Sequence, residues 1–215
     1  MVKRSRFDWQ RSHVIVTGGS QGIGAAVARA ARARGAAVSV IARGEEQLLA
    51  TAEPIGAAWA CAGTALPGRF LDVPIDEFES QMRLNYLGAV HAARAVLPGM
   101  VSRGRGHLVL TSSTAGVVGV VGYSGYGPTT AAVHQLAHCL RYEVEPAGVT
   151  VAVLYPPDTD TPGFAAENTR KPPETAAVSG AIDPLTRVLV RAGGIAEPIP
   201  RPILARTIRR ARESG

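Results

Sequence analysis

Apolar and polar positions alternate along the first sixty residues in a way that predicts one βαβ unit and the start of a second. His13–Val16 is a short β-branched run and reads as a buried strand. Gly22–Arg34 follows with Ile23, Val27 and Ala30/Ala31 at helical spacing, and Gly35 is a natural helix stop. Val38–Ala42 is a second apolar run, so the first unit takes about thirty residues. Glu45–Glu53 predicts a short helix, and Ile55–Gly63 another strand and turn.

The pattern then lengthens. A long helix is expected from about Asp76 to Val101, with Phe78, Met82, Leu84 and Val90 on its apolar side. Gly106–Gly116 reads as a strand ending in hydroxyls, Gly127–Pro146 as a helix, and Val149–Gly163 as a strand running into a Pro-rich loop. Strands alternating with helices predict an α/β fold: a Rossmann-type, doubly wound parallel sheet covered on both faces. With 215 residues the chain is expected to form a single dinucleotide-binding domain, its core at about 11–165 and a Pro-rich, basic tail over 156–215. In that tail only weak helices, around Pro184–Ala192 and Ile203–Glu213, are expected.

Composition narrows the picture. Aromatics are only 5%, so the core must be built from Ala, Val, Leu and Ile. Net charge is +6, but residues 1–11 carry +3 and residues 201–215 carry +4, leaving the body at −1. A nucleic-acid binder would show a basic stripe on its folded body, so nucleic acid is not expected. Two uses of the basic ends stand: solvated termini, or contact with an anionic membrane surface or acidic partner. Cys61 and Cys139 lack metal-ligand spacing and read as reduced, buried thiols of a cytoplasmic protein. The first ten residues have no apolar stretch of the signal-peptide kind, and no apolar run reaches membrane-spanning length. His134 and His138 stand four apart, but nothing completes a metal site and none is expected.

The candidate chemistry sits at strand ends. "TGGSQGIG" places Gly18, Gly22 and Gly24 between a strand and a helix, where bare backbone and free helix N–H groups suit a pyrophosphate. Arg43 after the second strand suits a ribose 2′-phosphate, favouring NADP(H) over NAD. Ser112 and Ser113 end a strand thirteen residues before Tyr126, and Asn85 is a polar amide inside an apolar helix.

"TGGSQGIG", Cys61–Gly63, Asn85, the Ser113-to-Tyr126 spacing and the helix after Tyr126 together resemble the short-chain dehydrogenase/reductase family over roughly residues 11–165. "YPPDTDTPGF" and the residues after it resemble the branch that reduces long-chain 3-keto sphingoid bases with NADPH. The resemblance implies Tyr126 as the acid that protonates the ketone oxygen, Ser113 as its hydrogen-bonding partner, and Asn85 as the anchor of a water-linked proton relay. It further implies NADP(H) contacts from Gly18, Ser20, Gln21, Gly22, Ile23, Gly24, Arg43, Ala62, Gly63, Tyr126, Thr130, Pro156 and Thr159. A homodimer or homotetramer is implied by analogy with the family.

Three departures accompany the resemblance. The family's lysine, four residues after the tyrosine, is Thr130 here. Ala60 stands where the family has an Asn that ties neighbouring strands. Between Glu53 and Trp59 there is no room for the usual third strand and its helix, so the sheet is expected to lose an edge strand and the adenine site one wall. An NADP-binding scaffold with impaired catalysis is therefore the alternative to a ketone reductase.

Overall fold

The structure, a computed structural model, describes residues 7–41, 55–156 and 158–175. Five parallel strands form one sheet: β1 (His13–Thr17), β2 (Ala37–Ile41), β3 (Ile55–Ala60), β4 (Gly106–Thr111) and β5 (Val149–Leu154). Their order is β2-β1-β3-β4-β5. The chain runs outward from β1 to β2, then returns past β1 to build the other half. The point where the winding reverses lies between β1 and β3, and in open α/β sheets ligands bind at the carboxyl ends of the strands there.

Alternation along each strand fills two cores. Val14 and Val16 pack with Ala28 and Ala31 of α1 (Gly22–Ala33), together with Ala57 and Trp59. Ile15, Ala58, Ala60, Leu108 and Leu110 face the opposite way, onto α3 (Gly88–Ser102) and α4 (Tyr126–Val144). Every strand of the middle of the sheet is thus buried on both sides by small and branched side chains, as the low aromatic content requires. Beyond β2 no further strand pairs among the described residues.

Three expectations need correction. Ala30 lies on the outer face of α1, and Ala31 alone of that pair is buried. Cys139 is exposed and Cys61 half-buried, because α4 turns Cys139 away from the sheet. The long helix is not regular. α2 (Ile75–Gln81) passes through a π-helical turn, Met82–Leu87, before α3 begins. The wider turn spaces the buried positions four apart, at Gln81, Asn85, Ala89, Ala93 and Leu97. Met82, placed on the apolar side by a regular helical period, is exposed instead.

One element was missed from sequence. α5 (Pro162–Asn168) follows β5, with Thr161 Oγ1 accepting from Phe164 N at 3.1 Å and Pro162 at its first position. The helices expected at 45–53, 184–192 and 203–213 lie outside the described residues. Among the described residues no helix is long and apolar enough to cross a membrane.

Leu108 is fully buried at the centre of the sheet. Leu108→Ala is expected to lower stability by about 2–5 kcal/mol, read as a drop in the urea midpoint at unchanged slope.

Candidate active site

At the carboxyl edge of the sheet lies a cavity of about 780 Å³. One wall is the turn from β1 into α1. Gly18 has φ +69° and Gly22 φ +55°, conformations that L side chains rarely adopt. A Cβ on Gly18 would stand 2.7 Å from the Ala62 backbone, and one on Gly24 would stand 2.3 Å from the Gly18 carbonyl oxygen. The three glycines therefore let the turn, the loop after β3 and the first turn of α1 close on one another. Ser20, Gln21 and Ile23 line the cavity from this side, and Ala62 and Gly63 line it from the β3 loop. Thr17 Oγ1 accepts from Cys61 N at 3.2 Å and Ala62 N at 3.3 Å, tying β1 to the β3 loop. That tie, carried by a strand-end hydroxyl, lies beside Ala60, where the family's Asn is missing. Arg43 lies outside the described residues.

The opposite wall carries the hydroxyls. Ser113 ends β4's extension and caps a 3-10 turn, Thr114–Gly116. Tyr126 is the first residue of α4. Both residues line the cavity. Burial pushes the Tyr126 phenol up to about 12; the nearby Ser113 hydroxyl opposes the rise, while the carboxylates of Glu167 and Asp158 add to it.

Thr130 is buried one turn further along and also lines the cavity. Its Oγ1 donates to Gly127 O at 2.9 Å, so its hydrogen is spent on its own helix. Its backbone oxygen accepts from Ser112 Oγ at 2.8 Å. Among the described residues no Lys or Arg lines the cavity. The one lysine among the described residues, Lys171, lies outside that lining and faces Glu167 at 3.2 Å and the Phe164 ring at 4.2 Å.

Asn85 sits in the π-helical turn, buried, with its amide fully engaged. Nδ2 donates to Thr64 O and to Thr129 Oγ1, both at 2.9 Å, and Oδ1 accepts from Thr64 N at 2.9 Å. Thr129 in turn donates to Tyr126 O at 2.7 Å. The side chain thus fixes the β3 loop against the start of α4. A π turn at such a place is a common mark of a functional site.

Pro156 and Thr159 line the cavity after β5, as expected. Sequence reasoning missed Tyr123, Asp158, Phe164 and Glu167, which complete the wall. The signal for Phe164 and Glu167 was their three-residue spacing just behind the helix-starting "DTDTPG". His134 and His138 stack at 4.4 Å between ring centres, and His134 bonds the Tyr155 hydroxyl. The described residues contain no cluster able to hold a metal ion.

The profile described as short chain dehydrogenase matches residues 12–61 and 54–172. The chain belongs to the short chain dehydrogenase family. The two matched segments overlap at residues 54–61, across β3. The chain is 36% identical over 207 aligned positions to the "3-dehydrosphinganine reductase" of Danio rerio, covering 78% of this chain and 62% of that protein. Since 78% of 215 residues fills only part of 207 positions, the relative carries residues inside the span that this chain lacks. Over a shorter stretch of 130 positions it is 45% identical to the "3-ketodihydrosphingosine reductase" of Dictyostelium discoideum, covering 58% of this chain and 39% of that one. A solved "short chain dehydrogenase/reductase family protein" superposes with TM-score 0.70 at 25% identity, over 82% of this chain and 91% of its own. This chain therefore spans about three fifths of the length of the first of these relatives.

Asn85→Ala strands both the N–H and the C=O of Thr64. It is expected to cost about 2–4 kcal/mol, since each buried polar group left unpaired costs about 1–3 kcal/mol. Thermal unfolding checks it, and Asn85→Ser should recover little, because a hydroxyl cannot reproduce two donors and an acceptor at once.

Proposed function

We propose that this protein is an NADPH-dependent reductase that converts the ketone of a long-chain 3-keto sphingoid base to a secondary alcohol. The observation that carries the reading is the pairing of the Ser113 and Tyr126 hydroxyls on one cavity with the glycine turn. The names of the two similar reductases support the substrate class.

The glycine cradle fits a dinucleotide on its own geometry. Gly18 and Gly24 leave room where a Cβ would collide, Gly22 holds φ +55°, and the start of α1 presents unpaired N–H groups for a pyrophosphate. Gln21 at the N-cap uses no side-chain hydrogen bond, which leaves those groups open. Ser20, Gln21, Ile23, Ala62, Gly63, Thr130, Pro156 and Thr159 would flank the bound nucleotide, and Arg43 would meet its 2′-phosphate. When bound, the nicotinamide supplies the hydride.

This chain's own residues then handle the oxygen. Ser113 orients the ketone by donating to its oxygen. Tyr126 gives that oxygen a proton as negative charge develops on it. With its phenol held up near 12, Tyr126 is protonated at neutral pH and ready to donate. The cost falls on the phenolate left behind, which Thr130 does not stabilise. Asn85 acts by position: its amide fixes the backbone at Tyr126 and has both hydrogens committed. The second reading, a dinucleotide-binding scaffold, is favoured by Thr130 and by the short span between Glu53 and Trp59, which leaves no room for the family's third strand.

NADPH oxidation with 3-ketosphinganine, followed by absorbance, tests the first reading against the second. Turnover is expected. Tyr126→Phe should lower kcat/KM by about 10²–10⁴-fold, the usual worth of a placed acid. Thr130→Lys should raise it. Cofactor binding without turnover in both the native chain and Thr130→Lys would establish the scaffold.

The pH profile is a separate check. Alcohol oxidation needs Tyr126 deprotonated, so its rate should climb with pH as far as about 12. In Thr130→Lys the added ammonium favours the phenolate, and the rise should move to lower pH.

A further inference from the structure

The charged side chains lining the cavity among the described residues are two carboxylates, Asp158 and Glu167. A site for a neutral ketone and an anionic cofactor has no evident need of them, and they work against the phenolate. Glu167 is the better placed. It lies on α5 one turn after Phe164, so both face the cavity. Its Oε1 accepts from the Tyr123 hydroxyl and faces Lys171 Nζ at 3.2 Å. Tyr123 packs against Tyr126 with ring centres 5.7 Å apart. Glu167 Oε2 accepts no hydrogen bond among the described residues.

The support behind Glu167 is rigid. The Lys171 ammonium is buried, with no well-aligned hydrogen bond, over the rings of Phe164 and Tyr123 at 4.2 and 5.9 Å. A buried ammonium needs an anion nearby, so Lys171 holds the Glu167 carboxylate in place. The segment is anchored at both ends. Arg170 pairs with Glu77 at 2.6 Å, and buried Thr175 donates to Val121 O at 2.6 Å.

We propose that Glu167 is the specificity-determining residue that binds the substrate's ammonium through its free carboxylate oxygen, selecting a ketone with a cationic amine on the adjacent carbon. In a 2-amino-3-ketone that nitrogen is one carbon from the carbonyl. A ketone oxygen held by Ser113 and Tyr126 brings the ammonium to the Tyr123–Glu167 side of the cavity. Lys171 occupies the rear oxygen and the substrate the front one. The substrate's charge also arrives beside Tyr126, where the helix offers only Thr130.

This inference rests on the reductase reading, and the test separates the two. The holoprotein is assayed with 3-ketosphinganine and with 1-hydroxyoctadecan-3-one, which lacks the amine. Binding of sphinganine and N-acetylsphinganine is measured by calorimetry in parallel. The native chain should prefer the amine-bearing ketone by about tenfold or more in kcat/KM, and sphinganine over its neutral N-acetyl form by a similar factor. Glu167→Gln should bring both ratios near one. Because that change leaves Lys171 without its anion, the double variant Glu167→Gln/Lys171→Met repeats the test with no buried unpaired charge. Ratios that persist in these variants, or a native chain that reduces both ketones equally, overturn the role of Glu167 and leave the reductase reading standing. If neither ketone is reduced, the reductase reading falls. The binding ratio then decides: loss of amine preference in the Gln variants supports the ammonium site, and its absence in the native chain refutes it.

Discussion

One buried amide joins the three segments that make this site. Asn85 bonds the loop after β3 through both backbone groups of Thr64, and reaches α4 through Thr129. Tyr126 begins α4, so its phenol is aimed from a point that Asn85 fixes. The loop it grips carries Ala62 and Gly63, which face the glycine turn. The glycine-turn wall and the Tyr126 hydroxyl are therefore registered to one another through a single side chain. A buried amide is stable there because its donors and acceptor all find partners.

The two sides of the cavity differ in what they ask of the chain. The glycine turn needs absence: no Cβ at Gly18 or Gly24, and positive φ at Gly18 and Gly22. The hydroxyl wall needs presence: Ser113 beside Tyr126, with burial deep enough to keep the phenol protonated. The carboxylates of Glu167 on α5 and of Asp158 before it push in the same direction. A site tuned so firmly toward the neutral phenol favours proton donation over proton removal, the direction the proposed reduction requires.

Much of this was legible in the sequence. The strand–glycine–helix start and the placing of Tyr126 at the head of a helix are local patterns, and the fold shows both where they were read. Three things were not legible. The π turn carries no compositional mark, so a regular period put Met82 inside and missed the stripe through Gln81 and Asn85. α5 hid among prolines, because Pro162 at a helix start looks like any loop proline until its cap is seen. Glu167 and Lys171 are four apart on an unremarkable polar stretch, and only tertiary packing brings them against Tyr123.

The π turn ties the architecture to its history. A helix that widens by one residue rotates everything downstream by roughly a quarter to a third of a turn relative to a regular one. Deleting any residue between Met82 and Leu87 would restore regularity and at the same time swing Ala89, Ala93 and Leu97 off the sheet, or Gln81 and Asn85 away from their loops. Neither half can be corrected without spoiling the other. Length changes should therefore be tolerated at the margin of the sheet long before they are tolerated in this helix.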